Sequence, residues 1–347
     1  MLVFTEKDLS DILRDYRIPH PVISHTILLH QNCDITEQKD KQLKLIIRVD
    51  LAEHTPVVVK FRGGCDERHR LHIIEEQTVF SDILRGNGII TPKYYMANSS
   101  FATEYNFYGF QGVVTVEDYC ENEIKLVDKH ISYLTGELLA QTHTISERNQ
   151  CHIYSNKIIF DPLTENDLYD YDEFKNTQDK LDQQELTLFS AICSEFDKKF
   201  KSIEPLRNCP RYAVQGDVSL CNTYLNEEGK IGLFDFNCSG DSVLFFDAVM
   251  QGWFVAHLMD YAQPMDDAGA NELAKAFFEG YSKIRPFTDT EKDLAKILYT
   301  IISALDCRII YYEGGLLDAI EKKDHDLIYQ ILEKIHNIIT SDTIMAT

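Results

Sequence analysis

Hydrophobic positions change their period near residue 116. Before it, short β-branched runs dominate. Leu43-Lys44-Leu45-Ile46-Ile47-Arg48-Val49 and Val57-Val58-Val59-Lys60-Phe61 are bounded by polar or proline-containing turns and predict strands. Phe107 to Val116 predicts two more, with a turn at Gly109 or Gly112. A short amphipathic helix is expected within residues 1–20, with Leu9, Ile12 and Leu13 on one side and Pro19 beyond its end. His69 to Arg85 keeps helical spacing through Ile73, Ile74, Phe80, Ile83 and Leu84, and stops at Gly86. Past Glu117 the pattern is helical: Ile131 to Ile145, then 184–200, 245–261, 268–284, 289–313 and 324–340. Residues 161–185 form an acidic, polar insertion, and 211–237 should hold short strands. The expected architecture is α+β and bilobal: a small antiparallel sheet lobe with a central helix over 1–116, and a larger, mainly helical lobe over 117–347. The switch near 115–120 is a hinge, not a tether.

Length and charge narrow the field. A chain of 347 residues can build two lobes, each with a core. The net charge is −22, of which −2 falls in residues 1–116 and −20 in the remainder. A strongly acidic second half repels nucleic acid and attracts cations, although solubility accounts for most of such charge. The most apolar window, Val243 to Met259, is interrupted by Asp247, Gln251 and His257, so no membrane span is expected. The first residues carry charge from Glu6 onward and do not read as a secretory leader. The nine cysteines are scattered, with no C-x-x-C pair, which fits a reducing cytoplasm. A monomer or homodimer is expected.

The chemistry lies in two acidic turns. Gln215-Gly216-Asp217-Val218-Ser219-Leu220-Cys221-Asn222 places Asp217 five residues before Asn222. Leu233-Phe234-Asp235-Phe236-Asn237 places Asp235 eighteen residues after Asp217. A lone D-x-x-x-x-N is common by chance. Here it follows the apolar Tyr212-Ala213-Val214, and the strand-like Ile231 to Phe234 leads into Asp235. Carboxylates at the ends of apolar strands are poorly explained by solvation. They suit phosphoryl transfer, in which one carboxylate holds the attacking hydroxyl while an amide and a second carboxylate hold Mg²⁺. Lys60 ends an apolar strand, and a sheet lysine with a helix glutamate clamps nucleotide phosphates in kinase-like sites. Of the mid-helix pair Glu75 and Glu76, Glu76 falls nearer Ile73 and Ile83 on the helical wheel and is the chosen partner.

These residues resemble the aminoglycoside phosphotransferase and choline kinase group of small-molecule kinases. The family pattern H-G-D-x-x-x-x-N, then I-D-F-D/E, then an aspartate at a helix start, is similar to Gly216-Asp217 with Asn222, Leu233-Phe234-Asp235-Phe236, and Phe246-Asp247-Ala248. Leu138-Leu139-Ala140-Gln141-Thr142-His143 looks like the family's L-L-A-x-L-H helix, and Phe277-Phe278-Glu279-Gly280-Tyr281 like its F-x-x-G-Y helix. The resemblance runs in order over roughly residues 40 to 285. It implies a protein-kinase-like fold, ATP or GTP as donor, and Mg²⁺. Asp217 would orient or deprotonate the acceptor hydroxyl, and Asn222 and Asp235 would hold Mg²⁺. Lys60 would contact the α/β-phosphates, fixed by Glu76. The backbone of Val116, Glu117, Asp118 and Tyr119 would receive the adenine. His143 and Asp247 would brace the catalytic loop.

The chain departs from the pattern in three places. Gln215 replaces the usual His, Asn237 replaces a second acid, and residues 1–62 contain no glycine, so the polar segment His30 to Gln42 would have to cover the phosphates. Asp161, Asp167, Asp170, Asp172 and Glu173, with Trp253 as an aromatic wall, are candidate lining for an amine-bearing small-molecule acceptor. The competing expectation is a weak or inactive kinase-like protein that binds a ligand or partner. Only eleven residues separate Asp235 from Asp247, which leaves no room for a peptide-docking activation segment.

Overall fold

Strand β2 (Leu43–Leu51) alternates strictly: Leu43, Leu45, Ile47, Val49 and Leu51 are buried, while Lys44, Ile46, Arg48 and Asp50 face the other way. This two-residue period sets up a sheet with one apolar and one functional face. The computed structural model describes residues 3–31, 43–64, 69–122, 124–156, 171–257 and 267–341. Its sheet has five antiparallel strands, ordered β1 (Val22–Gln31), β2, β3 (His54–Gly63), β5 (Phe110–Asp118) and β4 (Ala102–Phe107). Helix α1 (Glu6–Asp15) starts with a capping box between Thr5 and Asp8 and lays Leu9, Ile12 and Leu13 on the apolar face. Tyr16 anchors it there, its hydroxyl donating to the Val114 carbonyl at 2.6 Å.

Register decides what lies on the other face. Lys60 on β3 pairs with Ile46 on β2 and with Thr115 on β5; Arg62 pairs with Lys44 and Val113; Val58 pairs with Arg48 and Glu117. Helix α2 (Leu71–Gly86) covers part of this face through Ile74, which packs on Ala102 and Val113.

The chain divides into two compact units. The first comprises Met1–Lys125, Ile145–Lys157 and Cys221–Asp241; the second comprises Leu126–Thr144, Ile158–Leu220 and Ser242–Thr347. The expected single cut after residue 116 is therefore replaced by a division in which the chain returns to the sheet unit twice. The hairpin β7 (Thr223–Leu225) and β8 (Ile231–Leu233), with the turn that ends in Asp235, belongs to the sheet unit because Leu233 N–H donates to the Ile90 carbonyl and Leu225 N–H to the Asn122 carbonyl.

The second unit is mainly helical: α3 (Lys129–Arg148, its last turn counted with the sheet unit), α4 (Tyr171–Asn176), α5 (Gln183–Ile203), α6 (Leu244–His257), α7 (Asp267–Ile284), α8 (Asp289–Ala304), α9 (Cys307–Ile310), α10 (Leu316–Lys322) and α11 (His325–Thr340). Strand β6 (Arg211–Val214) leads into the first acidic turn. No helix among the described residues is long and apolar enough to cross a membrane.

Two elements differ from the sequence expectation. Edge strand β1 has no alternation to reveal it: Ile23, Leu28 and Leu29 are exposed, and it forms by pairing with β2. The helix expected over 289–313 breaks after Ala304, because Asp306 turns its carboxylate onto the Arg308 N–H and caps a new helix.

Candidate active site

In the sheet unit the Lys60 ammonium donates to Glu117 Oε1 at 2.7 Å and lies 3.7 Å from Asp235 Oδ1. The Arg62 guanidinium donates to the same Asp235 oxygen at 3.2 Å, and Asn237 Nδ2 donates to Asp235 Oδ2 at 3.3 Å. Burial opposes charge on Lys60, but the carboxylates of Glu117 and then Asp235 outweigh it and raise its pKa above the ordinary lysine value. Burial likewise opposes ionisation of Asp235, and the charges of Lys60, Arg62 and Lys44 outweigh it and hold the carboxyl below the usual range. Lys60 and Asp235 therefore keep their charges in spite of burial.

Asp235 sits in a left-handed backbone conformation, φ 52° and ψ 80°. A non-glycine residue there stores about 1–3 kcal/mol of strain, which surrounding contacts must hold. They come from α2 and from the segment after α3. Gln77 Nε2 donates to the carbonyls of Asn237 at 3.0 Å and Ser239 at 3.2 Å, and Asn156 Nδ2 donates to the Ser239 carbonyl at 2.8 Å. Asp241 accepts from His152 Nδ1 at 2.8 Å and from the Ile153 N–H at 2.7 Å. The rings of Phe80 and Phe236 meet edge to face, centroids 6.0 Å apart.

Hairpin β7–β8 explains the spacing of Asn222 and Asp235. Thr223 pairs with Leu233, and the Phe234 N–H donates to the Asn222 carbonyl at 2.9 Å, so both ends of the hairpin close on each other. Asn222 directly precedes Thr223 and Asp235 directly follows Phe234, so the two flank that closed end. Their donors are oxygens, a carboxylate and an amide carbonyl, which is the set a hard ion such as Mg²⁺ takes alongside phosphate oxygens. The cations resting on Asp235 stand where such a charge is needed, so the residues fit the ion.

In the helical unit the first acidic turn is tied down by a buried chain. Gly216 has φ +82°, a conformation only glycine adopts freely. Across it, the Gln215 side-chain oxygen accepts from the Asp217 N–H at 2.7 Å. Gln215, standing in place of the family's His, is fully buried and supports the loop directly. The next amide, Val218 N–H, donates to Gln251 Oε1 at 2.8 Å, and Gln251 Nε2 donates to Asp247 Oδ1 at 3.2 Å. Asp247 Oδ2 is 2.9 Å from His143 Nε2, and His143 Nδ1 is 2.9 Å from the Tyr281 hydroxyl. A carboxylate accepts, so the His143 Nε2–H donates to Asp247 Oδ2. The three motifs that contain His143, Asp247 and Tyr281 therefore converge on the loop of Asp217. The glycine of the last motif has a separate reason: α3 and α7 cross so closely that a Cβ on Gly280 would lie 2.0 Å from the Tyr133 carbonyl oxygen, and one on Gly136 equally near that of Phe277.

Several expectations are corrected. Glu76 does not pair with Lys60; its carboxylate accepts from the Ser155 hydroxyl at 3.0 Å and the Ser155 N–H at 3.3 Å. Glu75 does not either, since it accepts from Ser100 Oγ and from the N–H groups of Phe101 and Ala102. Lys60 takes its partner from the adjacent strand: Glu117 lies two residues beyond Thr115, on the same strand face and diagonal to Lys60. The alternation Val114-Thr115-Val116-Glu117 was the available signal, but it points to Lys60 only once the β3–β5 register is known. The backbone of Val116 to Tyr119 runs from the end of β5 into the segment beyond it. The Val116 carbonyl accepts from Tyr95 N–H, Asp118 N–H donates to the Lys93 carbonyl, and Tyr119 N–H donates to the Pro56 carbonyl. Trp253 is no aromatic wall: it is 1% exposed, and its Nε1 donates to Ser303 Oγ. Of the acidic insertion, Asp161, Asp167 and Asp170, like most of His30 to Gln42, lie outside the described residues. Asp172 is exposed and paired with Lys175. The groove between α4 and α5, about 630 Å³, carries Lys175, Lys198 and Lys201.

No family model matches the chain. A stretch of 105 residues is 33% identical to an uncharacterized protein of Deinococcus radiodurans, covering 29% of this chain and only 27% of that relative. The fold is shared with a microcompartment-associated aminopropanol kinase, at a TM-score of 0.60 and 14% identity over 97% of this chain and 100% of that one. It is also shared with an amicoumacin kinase, solved with AMP-PNP, Ca²⁺ and Ami, at a TM-score of 0.51 and 12% identity over 90% and 88% of the two chains. The chain has the protein-kinase-like fold of small-molecule kinases.

Proposed function

We propose that this protein is a phosphotransferase that moves the γ-phosphoryl of ATP or GTP onto a hydroxyl of a small, amine-bearing molecule. The observation that carries the reading is the ionised cluster of Lys60, Arg62 and Asp235, set beside Asn222 by hairpin β7–β8. In this reading Lys60 binds the α/β-phosphates, and Asn222 and Asp235 hold Mg²⁺, which neutralises charge on the β/γ-phosphates. Asp217 accepts the hydrogen bond of the acceptor hydroxyl and takes its proton as the new O–P bond forms. The bond between the γ-phosphorus and its bridging oxygen breaks, and the nucleoside diphosphate leaves. The chain Tyr281–His143–Asp247–Gln251–Val218 fixes the loop that carries Asp217, so the carboxylate is positioned before the acceptor arrives. The kinases that share the fold act, by their names, on aminopropanol and amicoumacin, which supports a small acceptor. The net charge of −20 in residues 117–347 favours a cationic one.

A second reading, a kinase-like binding protein with little turnover, draws on the glycine-free first 62 residues and on the direct Lys60–Glu117 pair. One experiment separates the two: nucleotide consumption with Mg²⁺ and ATP or GTP against a panel of aminoglycosides, choline-like amines, amino alcohols and sugars. Acceptor-dependent turnover that Asp217→Ala lowers by about 10²–10⁴-fold supports the enzyme. Nucleotide binding without turnover on any acceptor supports the binding protein, and turnover unchanged in Asp217→Ala overturns the role given to that residue.

A further inference from the structure

Three cations share one patch of the sheet's functional face. Lys44 and Arg62 are directly paired across β2 and β3, and Lys60 lies two residues before Arg62 on the same strand face. Arg62 is 8% exposed and Lys60 4%, so both chains are held inside the sheet unit and not spread over its surface. Facing them among the described residues are two carboxylates, Glu117 and Asp235. Lys60 already satisfies Glu117, while Asp235 lies within the field of all three cations. Desolvating a cation is costly for stability, so a buried arginine held against Asp235 calls for a functional reason.

Phosphates are usually covered by a glycine-rich loop, whose backbone N–H groups approach closely because glycine has no side chain. No glycine precedes Gly63 in this chain. We infer that Arg62, assisted by Lys44, is a phosphate-binding residue that takes over the charge such a loop would hold, and that its contact with Asp235 is the resting position from which it transfers to the nucleotide. The inference rests on the nucleotide-binding reading above. A planar guanidinium suits this exchange: it donates to one oxygen of Asp235 now, and its fork matches two oxygens of a phosphate once Asp235 is turned to a metal ion. The same contact makes Arg62 a competitor of the metal for Asp235 when no nucleotide is present.

The test is calorimetric titration of wild type, Arg62→Gln, Arg62→Lys and Lys44→Gln with Mg²⁺ alone, with ATP plus Mg²⁺, and with adenosine. Arg62→Gln should weaken ATP–Mg²⁺ binding by about 10- to 100-fold. It should leave adenosine binding unchanged and tighten binding of Mg²⁺ alone. Lys44→Gln, on a half-buried side chain, should weaken ATP–Mg²⁺ less, and Arg62→Lys should recover part of the loss. Wild type that binds ATP–Mg²⁺ while folded Arg62→Gln and Lys44→Gln bind it equally well overturns the inference alone. Should Arg62→Gln not fold, Arg62→Lys and Lys44→Gln decide. Wild type that binds no nucleotide overturns the functional reading and this inference with it.

Discussion

Lys60 and Glu117 form an ion pair, Nζ to Oε1 at 2.7 Å, with both side chains 4% exposed. The second Glu117 oxygen, Oε2, is buried and makes no hydrogen bond among the described residues. The Tyr94 phenol beside it is pushed well above its ordinary pKa, by burial first and then by the Glu117 charge. Lys60 is thus the cation that pairs with Glu117, and it is aimed by a strand rather than by a helix.

On the proposed reading, Glu117→Gln should weaken nucleotide binding through Lys60. It leaves a buried lysine short of its main counter-charge, which costs on the order of 3–5 kcal/mol when a partner is removed outright. We expect a lower unfolding midpoint in urea and nucleotide affinity reduced about tenfold or more. Glu76→Gln, whose carboxylate serves Ser155, should change nucleotide affinity less than about twofold. The reverse ranking in a titration would return the helix glutamate to the site.

Gln251→Leu should act on turnover and not on nucleotide binding. It orphans the Val218 N–H and one oxygen of Asp247, both buried, at about 1–3 kcal/mol for each group left unpaired. The loop of Asp217 loses its fixed position. Steady-state kinetics should give kcat lower by about tenfold with the nucleotide KM unchanged, since a small misplacement of a catalytic group is enough for that loss. A raised KM with normal kcat would contradict the assignment.

Gly280→Ala tests the α3–α7 crossing. The added Cβ would sit 2.0 Å from the Tyr133 carbonyl oxygen, so the helices must separate. Overpacking of this kind costs about 1–3 kcal/mol, and here a backbone atom has to move. A denaturation midpoint equal to wild type would show that the crossing is looser than described.

The pH dependence of stability should carry a His325 component. His325 at the start of α11 lies 2.9 Å from the buried Glu185 carboxylate, with Asp182 at 3.8 Å. The hydrogen bond and charge of Glu185 raise its pKa above the ordinary 6.5. A raised folded-state value means the stabilisation is complete below the unfolded-state pKa and is lost as pH climbs through the folded one. The Tm difference between wild type and His325→Gln should therefore be largest near pH 6 and shrink toward pH 9. A difference that grows with pH would reverse the sign. The group is exposed, so the effect is small and screened by salt.

Much of the molecule was legible without coordinates, because the information was local. The alternation in Leu43 to Leu51, the 3.6-residue period of α2, and the Asp217, Asn222 and Asp235 spacing are each written within a few residues or one hairpin. The helices expected over 268–284 and 324–340 follow from the same kind of signal, and of the two turn positions Gly109 and Gly112 the structure takes Gly109. What eluded the sequence involves partners distant along the chain. Glu117 reaches Lys60 only through the β3–β5 register, Glu75 and Glu76 are claimed by segments 25 and 79 residues away, and β1 exists only because β2 offers its edge.

The sequence alone determined the central strands, most of the helices and the acidic turns, since backbone sterics and side-chain period act over one or two turns of chain. The tertiary structure alone decided which glutamate holds Lys60, that Arg62 and Lys44 join it around Asp235, and that Tyr281 supports Val218 through His143, Asp247 and Gln251. A charged or polar side chain in a desolvated interior bonds to whatever the packed elements bring within about 3 Å, and no pattern along the chain encodes that meeting.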